Sequence, residues 1–143
     1  EVIDGFPVIR TTTYPMLKHF MKKEEHPNLA ALQTLFYAMA CLGDTNVLSR
    51  GGMEGLTWIR ENATGILSLG GVFTEAGREE IQMMNRRCIE KNLSPGGAAD
   101  MLALTIFLWE LENGRTWNLE TMKMSSKGVS EDGTWTDKTE RIA

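Results

Sequence analysis

The sequence predicts an all-α protein: a compact bundle of about five helices with a poorly ordered or extended C-terminal tail. Three observations carry this. Apolar residues recur at three- and four-residue spacing through most of residues 13–112. Gly and Pro cluster between those stretches, where helices end. No run in that region alternates apolar and polar residues convincingly, as a half-buried strand would.

The elements follow in order. Thr13 is the expected cap of a first helix, with Pro15 in its first turn, where a missing N–H is no loss. Met16, Leu17, Phe20 and Met21 form its apolar face, and Lys22-Lys23-Glu24-Glu25 ends it as a solvated charge run. After His26-Pro27, Asn28 is the expected cap of a second helix. Its stripe is Leu29, Leu32, Phe36 and Met39, and it runs to about Leu42. Residues 43–52 read as a polar interruption with glycines at both ends. A third helix runs from about Met53 to Leu67 on Leu56, Ile59, Ala63 and Ile66, and Gly70-Gly71 breaks it. Thr74 caps a fourth, with Glu75 in its first turn and Ile81, Met84 and Cys88 turned inward, to about Lys91. The fifth runs from about Pro95 to Glu112, and its string Met-Leu-Ala-Leu-Thr-Ile-Phe-Leu-Trp predicts burial on most sides. The tail, 113–143, has ten charged residues, five of each sign, and few apolar ones. Its Thr-Trp pairs, at 116–117 and 134–135, mark short strands or an arm that docks elsewhere.

Composition removes whole classes of function. The chain has 143 residues, 42% apolar and 24% charged, which fits one globular domain and not a disordered chain. Fifteen Lys and Arg against nineteen Asp and Glu give a net charge of −4. The tail nets zero, so the whole excess lies in 1–112. A protein that coats nucleic acid needs the opposite balance; a small polyphosphate needs only a few placed cations. No stretch approaches the roughly 18 apolar residues of a membrane span. The chain opens with Glu1, so processing or membership of a longer polypeptide is expected, and no targeting segment is visible at its start. Cys41 and Cys88 form neither a disulfide framework nor a zinc spacing; they are expected as buried core thiols in a reducing cytosol.

Chemistry concentrates at two junctions. At Ser94-Pro95-Gly96-Gly97, Ser94 can cap the fifth helix with Pro95 at its first position. The first-turn N–H groups of Gly96 and Gly97 then lack intrahelical acceptors and suit a phosphate. Each glycine there costs about 1 kcal/mol of helix stability against Ala. Asp100 lies on roughly the same face, and a carboxylate beside phosphate calls for a cation, so Mg²⁺ with a polyphosphate is coherent. The plain alternative is a capped helix start with glycines for tight packing. At the other junction, Asp44 and Asn46 are oxygen ligands for a hard cation, and Arg50, before Gly51-Gly52, offers a fork matched to phosphate. Its plain alternative is a polar loop. Antiparallel helices can bring both junctions to one end of a bundle. Arg10, after Gly5-Phe6-Pro7, is a third candidate phosphate contact or an ordinary surface arginine. His19 and His26 have no partner spacing for a triad, and the nine methionines read as core filler.

Gly5-Phe6-Pro7 with Arg10, Asp44-Thr45-Asn46 with Ser49-Arg50-Gly51-Gly52, and Asn92-Leu93-Ser94-Pro95-Gly96-Gly97-Ala98-Ala99-Asp100 together resemble the ATP:dephospho-CoA triphosphoribosyltransferases. The last string is highly specific. The resemblance covers residues 1–112 and implies an all-helical, cytoplasmic transferase of about twice this length, of which this chain is the C-terminal part. It implies transfer of the triphosphoribosyl group of ATP to the ribose 2′-hydroxyl of 3′-dephospho-CoA, with adenine released. The product is a prosthetic-group precursor for the acyl carrier protein of citrate lyase or malonate decarboxylase. Carried onto this chain, it implies Asp44 and Asp100 as catalytic and Mg²⁺-holding carboxylates. Arg10, Asn46, Arg50, Gly51, Asn92, Ser94, Gly96 and Gly97 would hold the nucleotides. Ala98 stands where the family pattern has Ser, and 113–143 has no counterpart. The implied partners are small-molecule nucleotides and the missing N-terminal half or another copy of the chain, with no nucleic acid and no membrane. The alternatives are a non-catalytic helical assembly module, one half of a split enzyme, or a metal-dependent nucleotide hydrolase.

Overall fold

A computed structural model describes residues 6–23 and 26–117. Among them are five α-helices and no strand: α1 Tyr14–Lys23, α2 Pro27–Cys41, α3 Thr45–Ser68, α4 Glu75–Glu90 and α5 Gly96–Asn113. A π-helical turn, Ile9–Thr13, leads into α1, and a 3-10 turn, Gly71–Phe73, precedes α4.

The helical path starts before Thr13. Phe6 O accepts from Ile9 N and Arg10 N, and Pro7 supplies a helical φ, so the chain is already wound when it reaches Thr13. Thr13 is therefore not a cap. It is fully buried, with its Oγ1 2.6 Å from that of Thr105. The Thr105 hydroxyl donates to Met101 O at 2.6 Å, so Thr13 is the donor between them. Asn28 is not a cap either. Pro27 takes the first position of α2, and His26 O accepts from Leu29 N and Ala30 N.

The most enclosed helix is α2, which packs on α1, α3, α5 and both short turns. Ala30, Ala31, Gln33, Thr34, Phe36, Ala38 and Met39 are all buried, and the small ones let the neighbours close in. The main core joins Phe36 and Met39 to Val47, Leu56, Ile59 and Ile66 of α3, Met84 of α4, and Leu93 and Ala98. Fully burying one such large apolar side chain contributes about 1.5–3 kcal/mol. Burial on most sides was expected of α5 instead. Only Ala98 and Thr105 of α5 are buried, and Leu104, Phe107, Leu108 and Leu111 are 37–67% exposed. Buried Ala98 meets the Asp44 carboxylate and buried Thr105 meets Thr13, while these four large side chains stay exposed.

Residues 45–51 are helical, where an interruption was expected over 43–52. Asp44 caps α3, its Oδ1 accepting from Asn46 N at 2.9 Å and Val47 N at 3.2 Å. The break lies at Gly52, with φ 61 and ψ −161, a conformation essentially reserved for glycine. Helix α4 starts as its sequence predicts, Thr74 Oγ1 accepting from Gly77 N at 3.0 Å. The turn before it is pinned from α2: Gln33 Oε1 accepts from Val72 N at 2.9 Å, and a Cβ on Gly71 would lie 2.0 Å from that oxygen.

Beyond α5, Thr116 N and Trp117 N donate to Glu110 Oε1 at 3.1 and 3.0 Å, and Trp117 Nε1 donates to Asn28 Oδ1 at 3.1 Å. The first Thr-Trp pair is thus a docked arm; the second lies outside the described residues. Cys41 is exposed, in contrast to the expected core thiol. It sits in the last turn of α2, where Arg60 of α3 donates to the Ala40 and Cys41 carbonyls at 3.3 and 3.1 Å. Cys88 is half-buried, and burial pushes its thiol pKa up. No helix among the described residues is long and apolar enough to cross a membrane.

Candidate functional site

The two junctions do meet, and Asp44 joins them. Its Oδ1 caps α3, and its Oδ2 accepts from Ala98 N at 3.0 Å, capping α5 as well. The carboxylate is only 3% exposed. Two positive helix ends converge on one buried anion, which lets the negative charge stay there. Ser94 is exposed and does not cap α5; Pro95 occupies the cap position without a side-chain bond, and Asp44 serves from 54 residues away.

This explains the glycines. A Cβ on Gly97 would stand 2.9–3.0 Å from the Asp44 carboxylate, and one on Gly96 2.9 Å from Asn46 Nδ2. A Cβ on Gly51 would come 2.5 Å from Cδ2 of buried Leu93. The end of α4 sets that leucine in place. Leu93 N bonds Cys88 O at 2.9 Å and Asn92 N bonds Ile89 O at 3.1 Å, with Asn92 at φ 52: a Schellman cap with an αL residue and an apolar follower. Leu93 then fills the groove beside Gly51 and Gly55. It was missing from the sequence-based candidates, although an apolar residue after an αL asparagine is the signature that marks it.

The candidate residues therefore divide. Asp44, Gly51, Gly96, Gly97 and the backbone of Asn92 build the junction. Asn46, Arg50, Ser94 and Asp100 are exposed polar groups that the fold leaves to solvent. Arg50 Nη1 reaches Asn92 Oδ1 at 3.4 Å, bridging the junctions on the outside. Asn46 lies against Gly96, and Asp100 is one helical turn further along α5, on the same side. Arg10 is exposed on the π-helical turn, and no hydrogen bond among the described residues joins it to this cluster.

Comparison with known proteins gives the same frame. The family model for ATP:dephospho-CoA triphosphoribosyl transferase matches residues 1–119. A probable 2-(5''-triphosphoribosyl)-3'-dephosphocoenzyme-A synthase 1 of Salmonella typhi is 44% identical over 108 residues, 76% of this chain and 36% of that protein. The 2-(5''-triphosphoribosyl)-3'-dephosphocoenzyme-A synthase of Escherichia fergusonii is 41% identical over 117 residues, 82% of this chain and 39% of its own. A probable synthase of the same name from Citrobacter koseri is 41% identical over 111 residues, covering 78% and 37%. The chain thus spans less than two fifths of these relatives. No solved structure matches it. With the family model covering both junctions and the Asp44 clamp between them, the chain belongs to the ATP:dephospho-CoA triphosphoribosyl transferase family.

Proposed function

We propose that this chain carries the nucleotide-holding part of a triphosphoribosyl-dephospho-CoA synthase. The observation that carries the reading is the surface over the Asp44 clamp, where Asn46, Arg50, Ser94 and Asp100 are exposed beside two joined helix ends. The reaction breaks the bond from C1′ of ATP to adenine and forms one from C1′ to the 2′-oxygen of 3′-dephospho-CoA; the hydroxyl proton leaves with adenine. The triphosphate is a handle. Arg50 suits it as a fixed cation, with Asn46 and Ser94 as neutral polar contacts. Positive charge develops at C1′ as adenine departs, as in glycosyl transfer generally. Asp100, the solvent-facing carboxylate, has the chemistry to offset that charge or to accept the 2′-hydroxyl proton. Asp44 is buried and occupied by three N–H groups, so its part is to hold the two helix ends in register.

Among the described residues no three His, Cys, Asp or Glu side chains gather into a protein-only metal site. Mg²⁺ is commonly held through one or two carboxylates plus substrate phosphates, and Asp100 fits that pattern. Bound there, it would neutralise part of the triphosphate charge. The same reading makes the product a precursor for the acyl carrier protein of citrate lyase or malonate decarboxylase, in the cytoplasm.

The test is incubation with ATP and dephospho-CoA, with adenine followed by chromatography. The chain is assayed alone and with the unmatched part of the Escherichia fergusonii synthase supplied in trans. Asp100→Asn should lower adenine release at least 100-fold with an unchanged thermal melt. Undiminished release by that variant sinks the assignment. The second reading is one half of a split enzyme. It predicts ATP–Mg²⁺ binding by this chain but adenine release only in the mixture.

A further inference from the structure

Much of the outer face of α5 stays exposed among the described residues. At 3.6 residues per turn, positions 100, 104, 107 and 111 fall within about 60° of one another, with 108 beside them. Leu104, Phe107, Leu108 and Leu111 are 37%, 58%, 38% and 67% exposed, and Asp100 heads the same line. Single exposed apolar side chains are ordinary; a continuous stripe of four large ones marks an interaction surface.

Two further observations say what covers it. The chain spans 36–39% of its relatives, so most of the family's fold lies outside it. Residues 114–117, directly after α5, lie on another side: Trp109 Nε1 donates to Thr116 Oγ1 at 3.0 Å, Glu110 takes the Thr116 and Trp117 N–H groups, and Trp117 reaches Asn28 of α2.

We propose that the stripe Leu104–Phe107–Leu108–Leu111 is the seat of the part of the family's fold that this chain does not span. The apolar run of α5 is then core on both sides in the assembled protein. Because Asp100 heads the stripe, the docked body borders the candidate site and closes it on that side. The inference rests on family membership and on the exposed face, not on the reaction proposed above, and its readout is binding.

The unmatched 61% of the Escherichia fergusonii synthase, co-expressed as a separate polypeptide with this full chain, is the partner for the test. A one-to-one complex should form by light scattering, with hydrogen exchange slowed across residues 104–111. Phe107→Asp with Leu111→Asp should weaken it at least 100-fold while circular dichroism stays unchanged. Ile89→Asp, at an exposed apolar position on α4, should leave it intact. Absence of a complex, or a complex indifferent to the double variant, overturns the proposal. So does self-association of the chain through the stripe, or slow exchange at 104–111 in the chain alone that is lost when residues 118–143 are deleted.

Discussion

Asp44 and Ala98 are 54 residues apart, and a 3.0 Å bond from the Ala98 amide to the Asp44 carboxylate makes one side chain the cap of two helices. Losing it leaves three backbone donors without that acceptor. Hydrogen bonds to a charged group contribute about 1.5–3 kcal/mol and a lost cap about 1 kcal/mol. Asp44→Ala should therefore lower unfolding free energy by about 3 kcal/mol in urea titration. Asp44→Asn should cost about 2 kcal/mol, since one amide end then faces an N–H donor.

Two glycine-to-alanine changes should move stability in opposite directions. Gly97→Ala puts a Cβ against the Asp44 carboxylate and should destabilise by about 1–3 kcal/mol despite better helix propensity. Gly65→Ala, inside α3, meets nothing within 4 Å and should stabilise by up to about 1 kcal/mol. Denaturant midpoints of the two variants decide it.

The hydroxyls of Thr13 and Thr105 form a buried pair. Thr13→Val alone leaves Thr105 without its donor and should cost about 1–2 kcal/mol. Thr13→Val with Thr105→Val should cost less than the two single changes added together. A double-mutant cycle measures the difference.

Tyr14 donates to Glu112, joining α1 to α5. Burial first, then that bond and the negative charge of Glu112, push its pKa up to about 12. The folded state holds this proton more tightly than the unfolded chain. Its stabilising share is fully present below pH 10 and is lost as pH rises through about 12. Tyrosinate absorbance should show a component titrating near pH 12, and Tyr14→Phe should remove it.

The cysteines should differ in reactivity. Cys41 is exposed, whereas Cys88 is half-buried with a raised pKa. Alkylation near pH 8 should label Cys41 first, and mass spectrometry of a time course shows the order.

The helical class and three of the four junctions between helices were legible because they are local: apolar spacing, His26-Pro27, Gly70-Gly71 with Thr74, and Pro95 before Gly96-Gly97. The α3 start was hidden because Asp44 reads as a loop ligand until its contacts show two caps. Ser94 was the natural local cap of α5, and only a contact across 54 residues displaces it. The exposed side of α5 misled for a related reason: an apolar string states that a face will be covered, not which body covers it. In the candidate site the polar and glycine residues of the motifs were visible, and Leu93 was not singled out. Which of them build the junction and which face solvent depends on glycine approach distances that sequence spacing does not contain.

The Gln33 pin on the turn before α4 has a mechanical consequence. Helix α4 is fixed to α2 at its beginning, where Val72 N is held, and its other end carries Asn92 against Arg50. Sixteen residues at about 1.5 Å each make a lever of about 24 Å. A rotation of about 5° about the pin carries the Asn92 end through about 2 Å, the scale on which a hydrogen bond is made or broken. The spacing between Arg50 and Asn92 therefore follows the tilt of a helix held at both ends, by Gln33 at Val72 and by buried Leu93 beside Gly51.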